Sequence, residues 1–315
     1  MRQPRLKFEH LEAFHHAYNR VAGEPGYLPF DDAAKEKFIR ILRRLACLYT
    51  VELLAYQIMS NHFHLLLCSP AEPPSLEETA RRYREYYGGR RKLEPTDPHC
   101  AELAERLRDI SWFLRDLEQQ FSVWWNRTRP RGRRGPLWAG RFKNTVLEGG
   151  QAVWNGFEYV ESNALRAGLV TDPADYRFGT YAEWCARGRH PFEENVVKRL
   201  MPYLAAAFGI GSMTQLRAHL QAKFAESAEA RRANTPPEPV ATNRLAPFAL
   251  RLDRRVRYWV DGLVIGSELF IRDTMRRARG EAAVAKRRLT RAFPARSDAP
   301  CPDLCAYRRL RVMTN

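Results

Sequence analysis

The sequence predicts an α+β fold: a mostly antiparallel sheet packed against helices, followed by a basic, mainly helical C-terminal extension. Three observations predict it. Two short apolar runs, 51–57 and 62–69, are separated only by a turn at Met59-Ser60-Asn61, the mark of adjacent antiparallel strands. Leu103, Leu107, Ile110, Leu114, Leu117, Phe121 and Trp124 recur in steps of three and four, the period of an amphipathic helix. Strand-like and helix-like segments alternate through the first 170 residues, as in a sandwich of one sheet and one helical layer.

In chain order, residues 8–20 predict a first strand, and the Gly/Pro-containing stretch 23–29 a loop. Asp31 and Asp32 open a helix, because acids in a first turn complement the helix dipole, and Phe38, Ile41, Leu42 and Leu45 form its apolar stripe. The hairpin strands follow. Residues 70–100, rich in Pro, Glu and Arg, predict an irregular connection or insertion. The long helix ends at an Arg-rich loop, 127–135, where Pro130 and two glycines oppose helix. Residues 141–148 predict a strand, and 151–166 a helix that stops at Gly168. The order β-α-β-β-α-β-α is that of a ferredoxin-like or RRM-like sandwich. Domains are expected at 1–188 and 189–315, the second mainly helical and broken by a Pro/Asn-rich linker at about 235–243. No internal repeat is present.

Composition narrows the function. Hydrophobic residues at 45% support a real core and exclude wholesale disorder. The formal charge of +16 points to a polyanionic partner, a nucleic acid or an acidic membrane surface. Residues 251–315 hold 16 Arg/Lys against 7 Asp/Glu, so a net +9 falls in the last fifth of the chain. The best apolar run, 203–210, is too short to cross a bilayer, and the N-terminus lacks the apolar stretch of a secretory signal. The six cysteines, at 47, 68, 100, 185, 301 and 305, form no CxxC pair and are expected as reduced thiols in a cytoplasmic protein.

Three features can carry chemistry. In Asn61-His62-Phe63-His64, strand alternation puts both imidazoles on one face and Phe63 on the other, an arrangement suited to a divalent metal or to an ordinary structural pair. On the 151–166 helix, Tyr159, Asn163 and Arg166 stack along one line, offering a phenol, an amide oxygen and a guanidinium; packing and capping are the plainer roles for such residues. Between 127 and 143 lie seven cations and no acid: Arg127, Arg129, Arg131, Arg133, Arg134, Arg141 and Lys143. With Trp138 and Phe142 interleaved and Trp124 and Trp125 just before, this is the composition of a strip that follows phosphates and stacks bases. For Trp124 a core position is expected instead.

In this order, the three pieces resemble the REP-associated tyrosine transposases, a branch of the single-tyrosine HUH transposase superfamily. The matching motifs are Asn61-His62-Phe63-His64-Leu65-Leu66, then Gly135-Pro136-Leu137-Trp138-Ala139-Gly140-Arg141-Phe142-Lys143, then the stretch from Tyr159 through Asn163 and Arg166 to Gly168-Leu169-Val170. The resemblance covers about residues 10–185. Ser60 and Ala164 stand where prolines are common, and neither change removes a reactive group.

The resemblance implies a metal-dependent DNA strand transesterase. His62 and His64, with Asn163 as third ligand, would hold Mg²⁺ or Mn²⁺, and Tyr159 would attack a phosphodiester to leave a 5′-phosphotyrosine and a free 3′-hydroxyl. Arg166 would assist and contact DNA. The substrate would be single-stranded DNA beside a short hairpin, and the protein a monomer or homodimer with no membrane partner. The alternatives are a non-catalytic DNA-binding descendant, an RNA-binding module, and a hydrolase using free water.

Overall fold

The computed structural model describes residues 6, 11–24, 26–128, 136–232, 259, 262–281, 290–293 and 304–308. The chain forms two compact units, residues 1–143 and 144–315. The span 1–188 expected as a catalytic domain runs across both.

In the first unit, β1 (Ala13–Arg20), β2 (Glu52–Ile58) and β3 (His62–Ser69) form an antiparallel sheet in the order β2-β3-β1. The strand begins at Ala13 rather than at 8, and residues 7–10 lie outside the described part. Helix α1 (Asp32–Leu48) starts where the acids predicted, with the Asp31 carboxylate accepting from the Ala34 N–H. Its Phe38 meets Phe63 of β3 at 5.0 Å between ring centroids, so the helices cover the Phe63 face of the sheet. Phe30, Phe121 and Trp138 complete this aromatic core.

Two expectations fail here. Residues 70–100 are not irregular: α2 (Leu76–Tyr86) occupies much of them and α3 (Pro98–Leu107) begins at their end. Ser75 caps α2 by accepting from the Glu78 N–H, and Arg81 and Arg82 pair with Glu78 and Glu85 along it. Few buried apolar residues mark α2, and so hydrophobic period does not reveal it. The long helix is likewise two, α3 and α4 (Ile110–Thr128). The Leu107 carbonyl, which a continuous helix would offer to the Ser111 N–H, accepts instead from the Thr50 N–H at 2.9 Å. The Asp109 carboxylate takes the Ser111 N–H at 2.5 Å. The apolar stripe continues across the break, which is why spacing alone reads as one helix.

The second unit holds a mixed sheet in the order β4-β5-β7-β6: β4 (Lys143–Leu147), β5 (Gly262–Gly266), β6 (Thr290–Phe293) and β7 (Leu304–Arg308). β4 and β5 are parallel, and the other pairs antiparallel. The C-terminal region is therefore not only helical; three strands of four or five residues are too short to display an alternation. Glu148 ties the end of β4 to the helix after β5, α11 (Glu268–Arg279), accepting from the Ser267 N–H at 2.5 Å and its hydroxyl at 2.9 Å. A Cβ at Gly266 would lie 2.8 Å from the Glu148 Cβ, so this close approach requires glycine. The remaining helices are α5 (Gln151–Glu161), α6 (Asn163–Arg166), α7 (Thr180–Arg187), α8 (Glu193–Arg199), α9 (Met201–Phe208) and α10 (Met213–Arg232).

The predicted 151–166 helix is thus α5 and α6, interrupted at Ser162, whose hydroxyl donates back to the Glu158 carbonyl at 2.7 Å. Gly168, at φ +70°, ends it as expected: its N–H donates to the Leu165 carbonyl, and that of Leu169 to Ala164. The linker at 235–243 lies outside the described residues. Cys47, Cys68, Cys100, Cys185 and Cys305 are free thiols; Cys301 lies outside. Among the described residues, no helix is long and apolar enough to cross a membrane.

Candidate functional site

On the sheet face opposite Phe63, β3 presents His62 and His64, as alternation predicts. The register sets Tyr18 of β1 and Gln57 of β2 beside His64, and Arg20 beside His62. His16, two residues before Tyr18, joins the same face. The rings form a cluster: His62 and His64 are edge to face at 5.1 Å, Tyr18 lies 5.0 Å from His64 and 5.5 Å from His62, and His16 stacks on His64 at 5.1 Å.

Hydrogen bonds orient both predicted ligands. His62 Nδ1 lies 2.7 Å from Asn61 Oδ1. The orientation of that amide follows from its other end, where Nδ2 donates to the Tyr27 carbonyl at 3.1 Å. An amide oxygen only accepts, so His62 carries its hydrogen on Nδ1 and keeps its lone pair on Nε2. The Tyr27 loop is itself fastened to the hairpin turn, Phe30 N–H donating to the Ser60 carbonyl at 2.8 Å. His64 Nδ1 faces His16 Nε2 at 3.0 Å. One ring must donate; with the hydrogen on His64 Nδ1, the His64 lone pair is also on Nε2.

Burial, aided by the Arg20 guanidinium, lowers the His62 pKa to about 4, so this imidazole is neutral at physiological pH. A neutral imidazole with Nδ1 held by an acceptor, as in His62, has the chemistry of a metal ligand. His62 and His64 thus suit a divalent ion as a pair. Among the described residues, no group of three or more His, Cys, Asp or Glu can hold one, so further donors must come from amides, water or substrate.

In the second unit, Tyr159 is 1% exposed. Its ring stacks on Trp259 at 5.1 Å and 23°, and the Arg166 guanidinium lies 4.6 Å from its centroid. Asn163 is buried at the start of α6. Of the predicted trio, Tyr159 and Arg166 are in direct contact, while Tyr159 lies on α5 and Asn163 and Arg166 on α6. The neighbouring carboxylates have structural partners: Glu161 accepts from the Thr180 hydroxyl and the Tyr181 N–H, and Glu158 pairs with Lys223.

The basic strip divides. Arg127, Arg141 and Lys143 are exposed, and the Lys143 ammonium lies 6.0 Å from the Tyr18 ring centroid. Arg129, Arg131, Arg133 and Arg134 lie outside the described residues. Trp138, expected to stack on bases, is a core residue instead: 8% exposed, packed on Phe30, Phe63 and Phe121, and donating through Nε1 to the Ser122 hydroxyl at 3.0 Å. Trp124, expected in the core, is only half-buried, while Trp125 is buried. Sequence reasoning missed the parts of Asn61, His16 and Tyr18. The available signal was the shared parity of His16 and Tyr18 on a strand that pairs with His62 and His64.

Neither a protein-family model nor a curated protein matches the sequence. Among solved structures, the chain is similar to a REP-associated tyrosine transposase bound to a REP hairpin, with 14% identity and a TM-score of 0.40 over 61% of this chain and 90% of that one. The likeness is distant.

Proposed function

We propose that this protein cleaves and rejoins single-stranded DNA beside hairpins, using Tyr159 as nucleophile and a divalent ion, Mg²⁺ or Mn²⁺, held by His62 and His64 with the Asn163 amide. The observation that carries the reading is the paired imidazole face. His62 is held neutral with its Nδ1 hydrogen bonded to Asn61, and His64 has its Nδ1 engaged by His16. The three sequence motifs in order add to it.

When bound, the ion would supply electrostatic stabilisation of charge developing on a phosphate oxygen. The protein's own groups do the rest. Asn61 and His16 orient the ligand rings. The Tyr159 phenolate oxygen would form a bond to phosphorus as the P–O3′ bond breaks; the phenol's proton leaves and the departing 3′-oxygen gains one. The product is a 5′-phosphotyrosine, from which a 3′-hydroxyl can restore a phosphodiester by the reverse step without ATP. Arg166 sits against the phenol ring, where it would contact the phosphate that Tyr159 attacks. Arg127, Arg141 and Lys143 would follow the backbone.

The burial of Tyr159 against Trp259 favours a second reading, a DNA-binding protein that keeps the fold without cutting. One experiment separates the two. The chain is incubated with end-labelled single-stranded hairpin DNA and Mn²⁺, and a denaturing gel is read for a covalent protein–DNA adduct. An adduct lost in Tyr159→Phe supports the cleavage reading. DNA bound without any adduct leaves the binding-only reading, and cleavage undiminished in Tyr159→Phe removes Tyr159 as nucleophile.

A further inference from the structure

We infer that the outer face of α1, with the turn after α2, is a second nucleic-acid contact surface, on the other side of the sheet from the imidazole face. The inference rests on the DNA reading above for its ligand class, but not on strand cleavage.

Lys37, Arg40 and Arg44 are spaced three and four residues apart, so they form one line along α1, on the side away from its buried Phe38, Ile41, Leu42 and Leu45. Aromatic rings flank this line. The Lys37 ammonium lies 6.0 Å from the Trp124 ring of α4, and the Arg44 guanidinium lies 4.5 Å from the Tyr86 ring at the end of α2. Tyr87 follows, with Arg91 at 4.4 Å from its centroid. Arg90 and Lys92, both exposed, continue the charge into the turn.

Ion pairing distinguishes these cations from others nearby. Arg81 and Arg82 are engaged by Glu78 and Glu85, and Arg108 by Glu105. Among the described residues, no carboxylate lies within ion-pairing distance of Lys37, Arg40, Arg44, Arg90, Arg91 or Lys92. A line of uncompensated cations repels itself, and a polyanion relieves that repulsion. Arg44 also donates one N–H to the Tyr86 hydroxyl at 2.9 Å, and a guanidinium has five N–H donors, so others remain to match phosphate oxygens. The chemistry fits a phosphodiester backbone. Because α1 covers the Phe63 side of the sheet, this ridge stands at least a helix diameter, ~10 Å, from the imidazoles. It would hold DNA distal to the imidazole face.

The test uses the full chain carrying Tyr159→Phe, so that cleavage does not interfere, and long single-stranded hairpin DNA at several salt concentrations. The variant Arg40→Ala/Arg44→Ala/Arg91→Ala is compared with a charge-matched control, Arg81→Ala/Arg272→Ala/Arg277→Ala, whose arginines are ion-paired. Contact predicts that the slope of log K against log salt becomes shallower by about 2 in the ridge variant only, at roughly 0.7 per phosphate contact. Equal changes in variant and control, or none in either, overturn the inference, as does failure of the parent chain to bind DNA. If the chain with Tyr159 intact forms no covalent adduct while the ridge variant shows the slope change, the cleavage reading is lost and the ridge is kept. An unchanged slope, with adduct formation by the chain with Tyr159 intact, does the reverse.

Discussion

His16 Nε2 lies 3.0 Å from His64 Nδ1, with the two rings stacked at 19°. A neutral imidazole has one N–H, so an acceptor at Nδ1 directs the lone pair to Nε2, where a metal can use it. His16→Phe keeps the buried ring and removes the acceptor. The expected outcome is a 10- to 100-fold loss of Mn²⁺ affinity, roughly the cost of losing such an outer partner, with the far-ultraviolet spectrum unchanged. His16→Gln, which can still accept, should recover part of it. Calorimetric titration of the protein with Mn²⁺ checks this without reference to cleavage; equal affinity in His16→Phe would remove His16 from the ligand system.

His62 gives a pH dependence with a definite sign. Burial lowers its pKa from 6.5 to about 4 in the folded protein. Between those values the unfolded chain binds a proton that the folded one refuses, so stability rises with pH there. The contribution is complete above 6.5, is lost as pH falls from 6.5 towards 4, and is constant below. Wild type should therefore lose stability relative to His62→Gln when urea unfolding is compared at pH 7 and pH 5. The imidazole resonances of His62 should move with a midpoint near 4; a midpoint near 6.5 would contradict this.

Much of the first unit was legible in the sequence because its signals are local. Asp31, the hairpin turn and the stripe from Leu103 to Trp124 each act within a few residues. The two faces of β3 followed from alternation. What stayed hidden depends on distant partners. The break at Asp109 exists because Thr50 takes the Leu107 carbonyl, and nothing near Leu107 announces Thr50. The strands after residue 260 are each too short to show a period. Trp138 reads as a stacking ring beside arginines, whereas its place is set by Phe30, Phe63 and Phe121, far away in the chain. In the site, both imidazoles could be read from the motif, but the orienting bonds of Asn61 and His16 needed three dimensions.

That difference at Trp138 is measurable. As a core ring, Trp138→Ala should cost about 3–5 kcal/mol of stability, and the loss of DNA binding should track unfolding. Arg141→Ala, at an exposed position, should leave the unfolding midpoint unchanged and weaken DNA binding in a salt-dependent way. Urea titration beside fluorescence anisotropy with labelled DNA separates the two. A stable Trp138→Ala protein with selectively weakened binding would restore the stacking role.

The decisive residue is Tyr159, because its burial must be reconciled with nucleophilic attack. The ring is held by Trp259 and by the Arg166 guanidinium, so its apolar bulk contributes to the core whether or not the hydroxyl reacts. Tyr159→Phe keeps that bulk and should alter stability by no more than about 1 kcal/mol, whereas Tyr159→Ala should cost about 3–5 kcal/mol. A nucleophile must also meet its substrate, so DNA binding should expose the phenol. Nitration of Tyr159 by tetranitromethane, followed by peptide mass analysis, should be slow in the free protein and at least several-fold faster with hairpin DNA and Mn²⁺. Protection that persists in the complex, together with no covalent adduct, would leave the tyrosine a packing residue and the protein a binder of DNA.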